Sequence, residues 1–244
     1  MIDRFVLLIG AMKAGTTALY RYLEQHPEIA PSRDKEPEVL SNPEFRPALM
    51  PKYLEQWDWI AGRHRWALEA STGYTKMPVR PSAALPAFAL RRECGAEFRF
   101  LYMVRDPIEV IPSTFSLVTG VLEKAFGYST LPADLRDRYN ERLYLACVDL
   151  FRYFHEDWTS GRIDRSRVMV VSYDRMMRDF DGLMGEMATF FDMKPTPEQL
   201  AAIRKTADEQ RAYQSKHSYK LEKYGLSAER IRKDCAFVYE TWLT

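Results

Sequence analysis

Between positions 10 and 17 the chain reads Gly10-Ala11-Met12-Lys13-Ala14-Gly15-Thr16-Thr17, a segment that combines two glycines, a lysine and two threonines. A loop of this kind wraps an anion with its backbone N–H groups. A helix starting at its end adds the partial positive charge of its N-terminus. Lys13 supplies a mobile cation, and Thr16 and Thr17 supply hydroxyl donors, so the chemistry expected here is phosphate binding. A second anion is expected near Arg105, which ends the apolar run Phe98-Arg99-Phe100-Leu101-Tyr102-Met103-Val104. Asp106 follows it. Before Pro107 an aspartate reads best as the N-cap of a helix, although a metal-using NTPase also places an aspartate at such a strand end.

The elements that must position these groups follow from apolar patterning. Phe5-Val6-Leu7-Leu8-Ile9 is a short continuous apolar run, expected as a strand buried on both faces of a parallel sheet. Thr16 to Gln25 then predicts a helix with Leu19, Tyr22 and Leu23 on one face. The loop between them is close to the P-loop pattern GxxxxGK[ST], but Thr16 holds the lysine position and the lysine has moved to Lys13. Further strands are expected at Trp66–Ser71, Glu97–Arg105 and Arg167–Tyr173. Helices are expected at Pro81–Glu93, Ile108–Val121, Tyr139–Thr159 and Asp181–Phe191, and over Ser227–Trp242 with Ser227 as N-cap. Pro31, Pro37, Pro43, Pro47 and Pro51 argue against a long regular helix around Ser32 to Pro51. The polar stretch Lys124–Arg138, with Gly127 and Pro132, reads as an excursion loop near a substrate mouth. Strand, glycine-bearing loop and helix in alternation predict an α/β fold: a single P-loop-like domain over 1–244, with a central parallel sheet of about four or five strands flanked by helices.

Composition bounds the partners. The 244 residues carry 35 Lys+Arg against 34 Asp+Glu, a formal net charge of +1. That balance gives no global reason to expect nucleic acid or an anionic membrane as partner. With 46% hydrophobic and 28% charged residues the chain is globular in character. Cys94, Cys147 and Cys235 are odd in number and far apart, without a CxxC pair, which fits neither a disulfide framework nor a zinc site and suits a reducing compartment. The apolar run near the start is too short for a signal peptide, and no apolar run reaches the roughly 18 residues of a membrane span. A cytoplasmic location is expected.

FVLLIGAMKAGTTALYRYLEQHPEI resembles the 5′-phosphosulfate loop of sulfotransferases that use 3′-phosphoadenosine 5′-phosphosulfate (PAPS). FLYMVRDPIEVIPSTFS resembles their 3′-phosphate motif, an arginine at the strand end and a serine eight residues on, here Arg105 and Ser113. DKEPEVLS and SKHSYKLEKYGLS are similar to segments of the bacterial and Golgi-carbohydrate branch. Together these matches run from Phe5 to Ser227, so they cover most of the chain.

The resemblance implies roles for individual residues. Lys13 would contact the oxygen bridging sulfate and phosphate, and Ala14, Gly15, Thr16 and Thr17 would hold the 5′-phosphate. Arg105 and Ser113 would bind the 3′-phosphate. Glu36, in the KE segment, would be the general base, with Lys35 near the sulfuryl group. Lys216, His217 and Lys220 would belong to a basic loop closing over the nucleotide. The implied reaction is metal-free sulfuryl transfer from PAPS to a hydroxyl or amine of a carbohydrate or small-molecule acceptor. Glu69 is followed by Ala70 rather than the lysine of some heparan-type enzymes, which weakens a glycosaminoglycan assignment and makes Glu69 a second base candidate. The histidine base of the steroid and phenol branch has no clear counterpart.

Other readings stand beside these. An ATP-dependent small-molecule kinase of the P-loop class needs Mg²⁺ and has no use for a 3′-phosphate site. A non-catalytic nucleotide-binding protein keeps the loop and lacks a working base. His26 reads as a structural cap closing the first helix, His64 as part of an exposed basic turn, and His155 as a packed helix residue. Lys35 and Glu36 taken alone form a solvated charge pair, and Arg204, Lys205 and Arg211 a solvated helix face. If both Lys35 and Glu36 serve catalysis, the two side chains must point differently or serve different ions. Trp57, Trp59, Phe115, Phe126 and Tyr128 could line an acceptor pocket or pack the core.

Overall fold

The structure is a computed structural model that describes residues 1–40, 47–75, 95–212 and 221–243. In chain order, β1 is Arg4–Gly10, α1 Thr16–Leu23, β2 Ile29–Pro31, α2 Met50–Leu54, β3 Trp66–Glu69 and β4 Glu97–Val104. Then come α3 Pro107–Phe126, α4 Ala133–Thr159, β5 Val168–Ser172, α5 Tyr173–Arg178, α6 Phe180–Phe190, α7 Pro197–Ala212, α8 Ala228–Asp234 and α9 Ala236–Trp242.

The five strands form one sheet in the order β2-β3-β1-β4-β5, and every pairing is parallel. A central parallel strand needs apolar side chains on both faces, and Phe5, Val6, Leu7 and Leu8 are all fully buried. Phe5 pairs with Phe98 in register, their rings stacked at 4.9 Å. Tyr102 on β4 stacks on Phe154 of α4 at 3.5 Å, which fastens that long helix to the sheet. No described helix is long and apolar enough to cross a membrane.

The expected strands are present, β1 one residue longer at each end and β3, β4 and β5 slightly shorter, and β2 adds a short edge strand beside β3. The helix expected at Pro81–Glu93, and Cys94, lie outside the described residues. Lys124–Arg138 corrects the expectation most: α3 continues through Phe126 and α4 begins at Ala133, so only residues 127–132 are non-α-helical. Leu122 to Ala125 are good helix formers even where solvent reaches them. The stop comes from Gly127, left-handed at φ 63°, whose N–H caps the Glu123 carbonyl. The helix expected over Ser227–Trp242 is two helices. Ser227 does cap α8, accepting from Arg230 N–H, but Cys235 leaves helical geometry and is itself fully buried with Ile231 and Val238.

Candidate functional site

Because the sheet is parallel throughout, the carboxyl ends of its strands share one edge. In open α/β sheets ligands bind outside that edge, where connections diverge on either side of a central strand. β1, between β3 and β4, is such a strand, and the loop from Gly10 to Gly15 leaves its end.

The loop is held from below. Ala11 N–H donates to the Met103 carbonyl at the end of β4, at 2.9 Å, and Ala14 N–H donates back to the Ala11 carbonyl at 3.2 Å. Lys13 takes a left-handed φ of 65° and is exposed. It makes no ion pair among the described residues. Gly15 is the N-cap of α1 at φ 97° and offers no side-chain cap, so the first N–H groups of α1 have no capping side chain. A Cβ on Gly15 would lie 2.7 Å from Cδ2 of Tyr173, so both backbone and space demand glycine there. Neither the Thr16 nor the Thr17 hydroxyl has a hydrogen-bond partner among the described residues.

Tyr173 was not singled out in the sequence, where it only ends an expected strand. Its ring lies against Gly15 on one side, and the Arg105 guanidinium sits 4.2 Å from its centroid. It therefore spaces the loop from the second expected anion group. Arg105 also pairs through Nε with Glu109 one turn into α3. Ser113, nearly buried, lies on the second turn of the same helix. Asp106 caps α3 by accepting from Ile108 N–H at 2.8 Å and also accepts the Tyr239 hydroxyl at 2.6 Å. Its carboxylate is engaged as a cap. Among the described residues no group of three or more His, Cys, Asp or Glu side chains is placed to hold a metal ion.

The KE segment runs beside the end of β3. Ala70 N–H donates to the Lys35 carbonyl at 3.0 Å, and Glu38 N–H donates to Ser71 Oγ at 3.0 Å. Gly73 N–H donates to Oε1 of Glu38 at 3.1 Å. Three hydrogen bonds thus lace residues 35–38 to 70–73. Lys35 and Glu36 do not point apart: Nζ lies 2.7 Å from Oε1, and both are only partly exposed. Two adjacent opposite charges at a rim with no ligand satisfy each other first.

Glu69, the second base candidate, is fully buried. Tyr53 and Tyr74 each donate a 2.6 Å hydrogen bond to its carboxylate, one to each oxygen. Burial raises its pKa above the usual carboxylate value, and the tyrosine and Ser71 hydroxyls pull it back. With both oxygens engaged by its own partners, Glu69 braces the turn.

The three described histidines take structural places. His26 Nδ1 accepts from Glu28 N–H at the end of α1, and burial lowers its pKa. His64 Nδ1 accepts from Ile60 N–H, and His155 Nε2 meets Thr241 Oγ1 at 3.1 Å beside Phe237 and Trp242. Arg204 pairs with Asp181 on an exposed helix face. Trp57 and Phe115 are core residues, whereas Phe126 is exposed and Tyr128 lines a surface cavity. Lys216, His217 and Lys220 lie outside the described residues.

Comparison with known proteins gives this arrangement a family. A model of the sulfotransferase domain matches residues 3–234. A sulfotransferase from Alicyclobacillus acidocaldarius has a similar solved structure, with TM-score 0.59 and 18% identity over 98% of this chain and 96% of that one. Sulfotransferase STF9 from Mycobacterium avium gives 0.62 and 16% over 99% of this chain and 77% of the other. A mouse sulfotransferase, SULT7A1, complexed with PAP gives 0.53 and 16% over 98% and 83%. No curated protein sequence matches. At these identities the solved structures speak for the fold, and the family rests on the domain match. Since that match takes in all five strands and the loops at their carboxyl ends, the chain belongs to the sulfotransferase domain family.

Proposed function

We propose that this chain, acting as a single domain over 1–244, moves the sulfuryl group of PAPS to a hydroxyl or amine of a carbohydrate or small-molecule acceptor. The observation that carries the reading is the exposed Lys13, without an ion pair among the described residues, in the loop that leads into α1, with glycine rather than a capping side chain at Gly15. That arrangement fits a phosphate, because among the described residues no side chain caps the first N–H groups of α1. Gly15, Thr16 and Thr17 hold the 5′-phosphate in this reading. Arg105, spaced by Tyr173, holds the 3′-phosphate with Ser113.

Sulfuryl transfer is an in-line displacement in which charge builds on the leaving phosphate oxygen. Lys13 and the loop N–H groups stabilise that charge as it forms. Glu36 takes the acceptor proton. An incoming anion competes with Glu36 for Lys35, and once Lys35 turns to the anion the Glu36 carboxylate is released to act as base. Arg105 at the end of β4 and the free, buried thiols of Cys147 and Cys235 favour PAPS chemistry in a reducing, cytoplasmic setting.

Thermal unfolding with 3′-phosphoadenosine 5′-phosphate (PAP), ADP and Mg·ATP in separate samples tests the reading. Ligand at about 100 times its dissociation constant adds about 2.7 kcal/mol, a shift of several degrees for a domain of this size. Stabilisation by PAP above ADP, unchanged by chelator, is expected. Stabilisation by Mg·ATP with no preference for the 3′-phosphate would replace it with the kinase reading.

A further inference from the structure

Arg105 carries its N–H donors in a rigid planar fork, and the donors that the protein itself uses decide what is left for a ligand. Two other arginines show a closed pairing that engages the terminal nitrogens. Arg230 donates to Glu141 through Nη1 at 2.9 Å and Nη2 at 2.6 Å, and Arg204 donates to Asp181 through Nε and Nη2. Arg105 differs. Glu109 takes its Nε, and neither Nη group donates a hydrogen bond among the described residues. The Tyr173 ring covers one face of the guanidinium, its centroid 4.2 Å from Cζ. Held at Nε and at one face, the guanidinium keeps both terminal nitrogens on its open edge.

Glu109 has a nearer structural task that it does not perform. It stands three residues after Asp106, the N-cap of α3. From that place a glutamate accepts the N–H of the cap residue and completes a capping box. No such bond to Asp106 N–H forms among the described residues, and the carboxylate pairs with Arg105 instead. A carboxylate in the first turn favours the helix dipole wherever it points, so the dipole does not explain that direction. Arg105, Glu109 and Ser113 follow one another in steps of four residues, with Glu109 and Ser113 on one face of α3. The carboxylate thus comes between the two groups read as the 3′-phosphate site. A carboxylate there repels a phosphate. What offsets the repulsion is aim: an arginine left free must be ordered by its ligand, and that ordering weakens binding.

We infer that Glu109 is a positioning residue for the donor: by holding Nε it turns the terminal nitrogens of Arg105 outward for bidentate capture of the 3′-phosphate. The inference rests on the PAPS reading and adds to it a residue that acts through Arg105.

The test is isothermal titration of the full chain with PAP and with adenosine 5′-monophosphate, which lacks only the 3′-phosphate. The readout is the ratio of the two affinities. Glu109→Ala should lower the preference for PAP about three- to tenfold, the effect of ordering one free side chain on binding. Glu109→Gln keeps an acceptor for Nε and removes the repelling charge, so it should hold or raise the preference. In an Arg105→Ala background, Glu109→Ala should change nothing further. A preference raised by both single substitutions would make Glu109 a competitor of the phosphate. An unchanged preference in Glu109→Ala, whatever its melting temperature, would make it a helix-end residue only. Either result overturns the inference and leaves the donor reading standing, as does an equal loss in Glu109→Gln or a further loss in the Arg105→Ala background. Wild type that binds both nucleotides equally would overturn the donor reading and the inference with it.

Discussion

The hydroxyl of Tyr74 donates a 2.6 Å hydrogen bond to Oε1 of Glu69, five residues earlier, and so closes the turn to which residues 35–38 are laced. The buried carboxylate is held by this contact and by its counterpart from Tyr53.

Glu69 therefore has a defined effect on stability against pH. Burial raises its folded pKa above the unfolded value near 4.5, so the folded state favours the protonated acid. Its contribution is present below the unfolded pKa and is lost as pH rises through the folded pKa. Urea unfolding of the wild type and Glu69→Gln between pH 4 and pH 8 should show the wild type losing ground to the variant as pH rises. A difference that is flat with pH would contradict the raised pKa. Tyr74→Phe should cost about 1–3 kcal/mol by leaving a buried acceptor short of a donor.

Gly15 is the most restrictive position in the loop. Alanine there meets both the left-handed backbone, costing about 1–2 kcal/mol, and the Tyr173 ring. Gly15→Ala should weaken PAP binding at least about tenfold, the equivalent of one such penalty. Isothermal titration with PAP reads this directly, and unchanged affinity would mean the loop does not hold the nucleotide.

Arg105 and Lys13 should fail in different ways. Arg105→Ala removes a charge-assisted contact worth about 1.5–3 kcal/mol, so PAP affinity should fall about 10–100-fold while ADP affinity stays the same. Lys13→Ala should lower kcat more than it weakens PAP, because its contact strengthens as charge builds. Single-turnover rates and PAP titration separate the two. Equal losses of PAP and ADP affinity in Arg105→Ala would remove it from the 3′-phosphate.

Glu38 carries the clamp on the KE segment in a left-handed conformation, φ 52°, that costs a non-glycine residue about 1 kcal/mol. Glu38→Gly relieves that cost while deleting the hydrogen bond from Gly73 N–H. The melting temperature should hardly move while kcat falls about tenfold, and Glu38→Gln, which keeps an acceptor, should recover most of it. Loss of kcat only in step with loss of fold would make Glu38 a structural residue alone.

The parts of this site that were legible in the sequence are those built from consecutive residues. The apolar run of β1, the glycines and lysine of its loop, the Asp106–Pro107 helix start and the arginine before it each announce themselves within a few positions. Tyr173 could not be read this way: its contact with Gly15 spans over 150 residues and exists only because β5 ends beside β4. Glu69 reads from the sequence as a strand-end acid, and only the tyrosines from α2 and the following turn reveal that both its oxygens are taken. The stretch around Lys124 misled because polarity resembles a loop, whereas leucine, glutamate, lysine and alanine sustain a helix until Gly127. Lys35 and Glu36 pair, as their residue types alone suggest, because adjacent opposite charges settle on each other when no third ion is present.

The hydrogen bond from Ala11 to the Met103 carbonyl also orders events during biosynthesis. About ninety residues separate the two, so at 5–20 residues per second Ala11 waits about 5–20 s for its partner to be made. Until β3 is made the apolar run Phe5–Ile9 has neither neighbour strand to cover it, and it lacks β4 to the end of that interval. It is then a natural client for a holdase chaperone at the ribosome exit. A codon change that slowed translation between β1 and β4 would lower the soluble yield of this chain without altering a single residue of its site.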